Sequence, residues 1–217
     1  MVGKIRPRLN HQTTNGLVKV NVGAGLTVAP GWINVDGNIH SMLASAPTSV
    51  LHVLYRLSNT VHWLERDEYV RRLRNHAFIH YDLERGLPLA DAAADFVYSS
   101  HVLEHFYLAD ARRLVAEMLR ILKPGGTLRL CVPDLEHAMR LYQNGNRRDA
   151  LEYFFTNDRA PYFRQHRYMY DFELIAGLLR DAGFSSVTRY SYQHGRVPDL
   201  ELLDNRSDET LYVEATR

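Results

Sequence analysis

Residues Val18 to Asp36 constrain this chain more than any other stretch. Val18 to Val22 is a short apolar run that stops in Gly23-Ala24-Gly25, and Trp32 to Val35 is a second run that ends in an acid, Asp36. Glycines at the carboxyl end of a strand let backbone approach a ligand closely, because no Cβ intervenes. An acid at the tip of the neighbouring strand can accept hydrogen bonds from both hydroxyls of a ribose. Together they describe half of a nucleoside-binding crevice at the strand-order switch point of an open α/β sheet. Taken alone, the glycine turn could equally be a simple chain reversal. Two better-known phosphate sites are excluded. The third glycine of G-x-G-x-x-G is replaced by Val28, and no G-x-x-x-x-G-K-[ST] occurs.

The 217 residues suffice for one well-cored domain, read as 1–217 with an insertion. A net charge of +1 supplies no general basic field for nucleic acid or anionic membrane, and paired arginines such as Arg112-Arg113 lie among acids. The single cysteine, Cys131, precludes an internal disulfide and falls in a predicted buried strand, where it reads as a small apolar filler. No signal-peptide core or membrane-length apolar run is present, so the expected location is cytoplasmic.

Before Gly16 the chain reads as a loose polar arm. About forty residues follow Asp36 before the next strand, with helical patterns at Val50, Val53, Leu54 and Leu57 on one face and over Arg66 to Arg74. This insertion, about 38–75, could be a lid over the crevice or a subunit contact in a homodimer. Strands are predicted at Ala77–Tyr81, Asp95–Ser99 and Thr127–Val132. Between the last two, Ala111, Leu114, Val115, Met118 and Leu122 mark an amphipathic helix that glycines of Lys123-Pro124-Gly125-Gly126 would close. A helix is expected over Leu135–Tyr142, then an aromatic-rich irregular segment, Leu151 to Tyr170, within a variable region of about 145–170. Asp171 is set to cap a helix through Ala182, ended by Gly183. Strands at Ser186–Tyr192 and Thr210–Thr216 flank a polar loop with Pro198 and Asp204. Strands alternating with helices argue a mostly parallel α/β sheet covered on both faces.

The first four strands end at Gly23-Ala24-Gly25, Asp36, Asp82 and Ser99-Ser100-His101, all ligand-competent tips at the sheet edge where α/β folds bind ligands. V-N-V-G-A-G, Asp36, L-P-L-A-D-A-A-A-D-F-V-Y-S-S-H-V-L-E-H-F and L-R-I-L-K-P-G-G-T-L-R-L resemble class I S-adenosylmethionine-dependent methyltransferases. The match is nearest to their type 11-like branch, whose small bacterial members are associated with surface polysaccharide. The resemblance spans about Val18 to Asp134. It implies a three-layer Rossmann-like fold, with a seven-stranded, mostly parallel sheet and an antiparallel last strand. It also implies S-adenosyl-L-methionine as cofactor. Gly23, Ala24 and Gly25 would lie against the methionine moiety and Asp36 on the ribose. Asp82 and Leu83 would meet the adenine, and Ser99, Ser100 and His101 would floor the slot near the sulfonium. The implied reaction is methyl transfer to a hydroxyl or amine of a small or carbohydrate-like acceptor. One departure stands out: only ten residues separate Gly25 from Asp36, so the first crossover must be a loop rather than a helix.

His101, Glu104 and His105 form H-x-x-E-H, also the spacing of inverzincin peptidases. On a helix the three would share one face. Some similar O-methyltransferases carry E-x-x-E-H here and hold a divalent cation, so the resemblance allows a metal. His101 in place of the first acid turns that reading towards zinc rather than magnesium; the other reading is plain packing. The motif's position after a strand tip argues against a peptidase. If the acceptor is a hydroxyl, His101 or His105 is the first candidate base, followed by His166 of R-Q-H-R-Y. Two other readings stand beside catalysis: a non-catalytic S-adenosylmethionine-binding scaffold, and a nicotinamide oxidoreductase, which Val28 disfavours.

Overall fold

The computed structural model describes residues 16–155 and 165–217. The predicted N-terminal arm, Tyr162 and Phe163 lie outside them. Seven strands form one sheet: β1 (Lys19–Val22), β2 (Trp32–Asp36), β3 (Ala77–His80), β4 (Ala94–Ser100), β5 (Leu122–Pro133), β6 (Ser186–Tyr190) and β7 (Thr210–Thr216). The order is β3-β2-β1-β4-β5-β7-β6, with β7 antiparallel to both neighbours and the first five strands parallel. The direction of winding therefore reverses between β1 and β4, which puts the ligand crevice beyond Val22 and Ser100. The expected α/β class, strand number and antiparallel last strand are all observed.

Helices between β2 and β3 are α1 (Ile39–Met42), α2 (Thr48–Leu57) and α3 (Arg66–Asn75). After them come α4 (Leu108–Ile121), α5 (Leu135–Gln143), α6 (Arg147–Phe154), α7 (Phe172–Ala182) and α8 (Leu200–Leu203). On α4, Ala111, Leu114, Val115, Met118 and Ile121 recur at helical spacing and pack with Val20, Val22, Val97, Leu128 and Leu130 of the sheet. Ile175, Leu178 and Leu179 of α7 join the same core. The opposite sheet face carries Trp32, Tyr98, Cys131 and Tyr212, covered by Val197, Leu200 and Leu203. Burial pushes the Cys131 thiol up to about 12, as expected of an apolar filler.

Several local expectations are corrected. In α2 the buried residue is Leu51, which packs on Tyr69 and Leu73 of α3, while Val50, Val53 and Leu57 are exposed. Periodicity marked an apolar stripe but could not say that the paired helix sits one position away from it. Helix α4 ends without a glycine: Leu122 turns extended because it pairs with Ala94. Gly125 (φ +78°) instead makes a turn inside β5, its N–H donating to Arg217 O. Helix α6 occupies the start of the segment read as irregular, and β6 stops at Tyr190. The Asp171 cap and the left-handed Gly183 stop of α7 are as expected. No helix among the described residues is long and apolar enough to cross a membrane.

Candidate functional site

Beyond β1 and β4 lies a cleft of about 190 Å³, bordered by Gly23, Ala24, Gly25, Tyr98, Ser100 and His101. Residues 23–31 contain no helix, so the first crossover is the predicted loop. Gly23 has φ +71°, and a Cβ there would stand 2.1 Å from Val102 Cγ2. A side chain at Gly23 is excluded both by conformation and by space. Gly25 has φ +54° and faces open space, which leaves its backbone approachable. Gly23 N–H donates to Val35 O at 2.8 Å, lacing the turn to the end of β2.

Asp36 is the organising acid of this edge. Its Oδ2 accepts from Gly25 N–H at 2.7 Å and its Oδ1 from Asn38 N–H at 2.8 Å. Each carboxylate oxygen can accept more than one hydrogen bond, so acceptor capacity remains for a ligand hydroxyl. At the next strand tip, Asp82 caps the short turn Leu83–Arg85 by accepting from Glu84 N–H at 3.1 Å. Tyr81 N–H donates to Asp36 O at 3.0 Å, which holds these two tips side by side.

Of the three residues expected on the floor, Ser100 and His101 border the cleft, whereas Ser99 does not. Ser99 is fully buried, its Oγ without a hydrogen-bond partner. The period of two along β4 explains this. Tyr98 and Ser100 share the cleft side, and Ser99 shares the α4-facing side with Val97.

The H-x-x-E-H residues are not on one helix. His101 takes a left-handed backbone conformation (φ +53°), residues 103–105 form a single 3₁₀ turn, and α4 begins only at Leu108. A left-handed residue stops helix propagation. The trio still comes together: His101 Nδ1 lies 3.3 Å and His105 Nε2 3.8 Å from Glu104 Oε1. His101 Nε2 is 3.0 Å from Thr210 Oγ1. Burial acts to raise the Glu104 pKa, and the adjoining His101 and His105 more than offset it, so the carboxyl sits below its usual range. Burial lowers the His105 pKa, the Glu104 charge opposing it. His166 joins this group because Arg167 N–H donates to Glu104 O at 2.7 Å, and His105 Nδ1 is 3.2 Å from Gln165 O.

The sequence reading missed the far wall. Asn205 and Arg206 border the cleft, and Asn205 Nδ2 donates to Thr27 Oγ1 at 3.2 Å. The chain leading into them is anchored twice. Asp199 accepts from Lys19 Nζ at 2.6 Å and Trp32 Nε1 at 2.7 Å. Asp204 pairs with fully buried Arg129 (Nη2–Oδ2 2.5 Å, Nε–Oδ1 3.1 Å) and accepts from Tyr98 Oη at 3.2 Å. Arg129 also reaches Glu214 Oε1 at 3.2 Å. The polar loop with Asp204 was legible; its partner 75 residues away was not.

Residues 37–130, less than half of the chain, match the model of a family described as a methyltransferase domain. No curated protein matches. Among solved structures, a S-adenosylmethionine-dependent methyltransferase of Thermotoga maritima, a possible histamine N-methyltransferase, aligns with TM-score 0.50 and 17% identity over 92% of this chain and 81% of its own. One from Archaeoglobus fulgidus aligns with TM-score 0.52 and 14% identity, over 94% of this chain and 88% of its own. At such identities the likeness establishes the fold. The chain has the class I methyltransferase fold, and the cleft stands where that fold reverses its strand order.

Proposed function

We propose that the chain is a S-adenosylmethionine-dependent methyltransferase acting on a hydroxyl or amine of a small or carbohydrate-like acceptor. The observation that carries this reading is the joining of Gly25 and Asp36 by a 2.7 Å hydrogen bond at the strand-order switch. That bond holds the carboxylate we assign to the ribose against Gly25, where no Cβ stands in the way. The residues fit the cofactor's chemistry. Gly23, Ala24 and Gly25 would take the methionine moiety, Asp36 the ribose hydroxyls, and Asp82 and Leu83 the adenine. Arg206, which also pairs with Glu209 Oε1 at 3.3 Å, adds a guanidinium to the cleft wall that suits an α-carboxylate. Ser100 and His101 would floor the reacting end, with Ser99 supporting β4 from behind.

Bound S-adenosylmethionine supplies an already electrophilic methyl group. The protein's main contribution is then in-line positioning, which lowers such barriers by about 7–11 kcal/mol. A general base adds roughly 10²–10⁴-fold, nearer 3–5 kcal/mol. His101 is the imidazole on the cleft, and the Glu104 carboxylate beside it would stabilise it on taking a hydroxyl proton. His105 and His166 do not border the cleft and need no part in that step.

The test is formation of S-adenosylhomocysteine from S-adenosylmethionine against a panel of hydroxyl and amine acceptors, saccharides included. Acceptor-dependent product is expected, and His101→Ala should lower kcat by about 10²–10⁴-fold with donor affinity retained. Thermal stabilisation by the donor without product from any acceptor would favour a non-catalytic binding protein instead.

A further inference from the structure

Beside the cleft but not among its lining residues, Glu104, His105 and His166 converge with unused bonding capacity. Glu104 is completely buried, and among the described residues neither of its carboxylate oxygens has a hydrogen-bond partner. His101 Nδ1 is 3.3 Å from Oε1 but is not aligned to donate to it. A buried carboxylate left so is costly unless a positive charge meets it.

The two imidazoles nearby are held in one particular way. His105 Nδ1 is 3.2 Å from Gln165 O, and His166 Nδ1 is 2.5 Å from Tyr153 O. A carbonyl oxygen can only accept, so each Nδ1 carries the ring proton and each neutral ring keeps its Nε2 lone pair free. Fixing a histidine through its other nitrogen to a carbonyl is what orients metal-binding imidazoles generally. The rings lie 5.3 Å apart between centroids. One ligand atom each from Glu104, His105 and His166 falls within 4.8 Å of the others.

We propose that Glu104, His105 and His166 form a mononuclear site for a divalent transition ion of the zinc class. Two imidazoles and one carboxylate suit zinc and its neighbours far better than magnesium. Tetrahedral bonds of about 2.1 Å would set ligand atoms about 3.4 Å apart, so the trio draws together by roughly 1 Å on binding. Three protein ligands leave a fourth position for water or a ligand atom, the composition of reactive rather than purely structural zinc sites. His101 is not one of the three ligands: it borders the cleft, and its Nδ1 flanks Glu104. The metal reading is independent of the methyl-donor reading.

The probe is Zn²⁺ added to metal-free full-length protein, followed by calorimetry, with Co²⁺ absorption reporting coordination. One tight equivalent per chain is expected, with the visible bands of low-coordinate cobalt and no displacement by millimolar magnesium. His166→Ala and His105→Ala should each weaken Zn²⁺ binding by at least the roughly 10–100-fold that loss of an outer-shell partner costs. His62→Ala, an exposed histidine on the insertion, should leave it unchanged. Melting curves in chelator verify that the His166→Ala protein is folded. Zn²⁺ binding equally strong in wild type and His166→Ala, or no binding tighter than that of scattered surface histidines, would overturn the site. The second result would mean that Glu104 is met by an imidazolium instead.

Discussion

Arg129→Ala is expected to lower the unfolding free energy by about 3–5 kcal/mol. Arg129 is fully buried with Asp204 and Glu214 as its two carboxylate partners, and it also donates to His194 O and Ser191 O. Burial acts against the guanidinium charge, and Asp204 with Glu214 more than compensates, so the group stays charged. Removing it leaves two buried carboxylates without the cation they share. For a chain of this size such a loss corresponds to a fall in Tm of roughly 6–20 °C, readable by calorimetry or circular dichroism. A second consequence follows from what Asp204 carries. Asn205 and Arg206 are the next two residues and close the cleft over Thr27, so donor binding should weaken in the folded fraction as well. A loss below about 1 kcal/mol, within the range of exposed ion pairs, would mean that the network is not the anchor described here.

Asp36→Ala has the largest expected effect on ligand binding. The carboxylate shapes the glycine turn through Gly25 N–H and the following turn through Asn38 N–H, and it is the acceptor assigned to the ribose. Hydrogen bonds to a charged group contribute about 1.5–3 kcal/mol each. Loss of two ribose contacts therefore predicts donor binding weaker by roughly two to four orders of magnitude. Asp82→Ala is the internal comparison. Its side chain is 54% exposed and already engaged by Glu84 N–H and Arg85, so a loss nearer tenfold is expected. Equal affinities of wild type and Asp36→Ala for S-adenosylhomocysteine would remove the ribose assignment.

The parts legible in the sequence are those whose cause is local. A glycine pair after an apolar run, an acid at the next strand tip and the Asp171–Gly183 helix boundaries each follow from a few neighbouring residues. What was illegible depends on partners far along the chain. Nothing near Asp204 announces Arg129, and nothing in R-Q-H-R-Y announces that the Glu104 carbonyl will hold His166 beside His105. Faces were harder still. Val50 and Val53 mark an apolar stripe on α2, yet Leu51 is buried because α3 packs there. Ser99 and Ser100 look interchangeable on paper, and the pleat of β4 separates them. H-x-x-E-H fits a helix by spacing, but His101 takes a left-handed turn, so the cluster forms by a different route and takes His166 in place of His101.

The most direct measurement of the account is a calorimetric titration of S-adenosylhomocysteine into the full-length protein, with NAD in parallel. Saturable uptake of one adenosylhomocysteine per chain, competed by S-adenosylmethionine and not by NAD, is the predicted result. No uptake of either adenosyl compound, or tighter uptake of NAD, would contradict it.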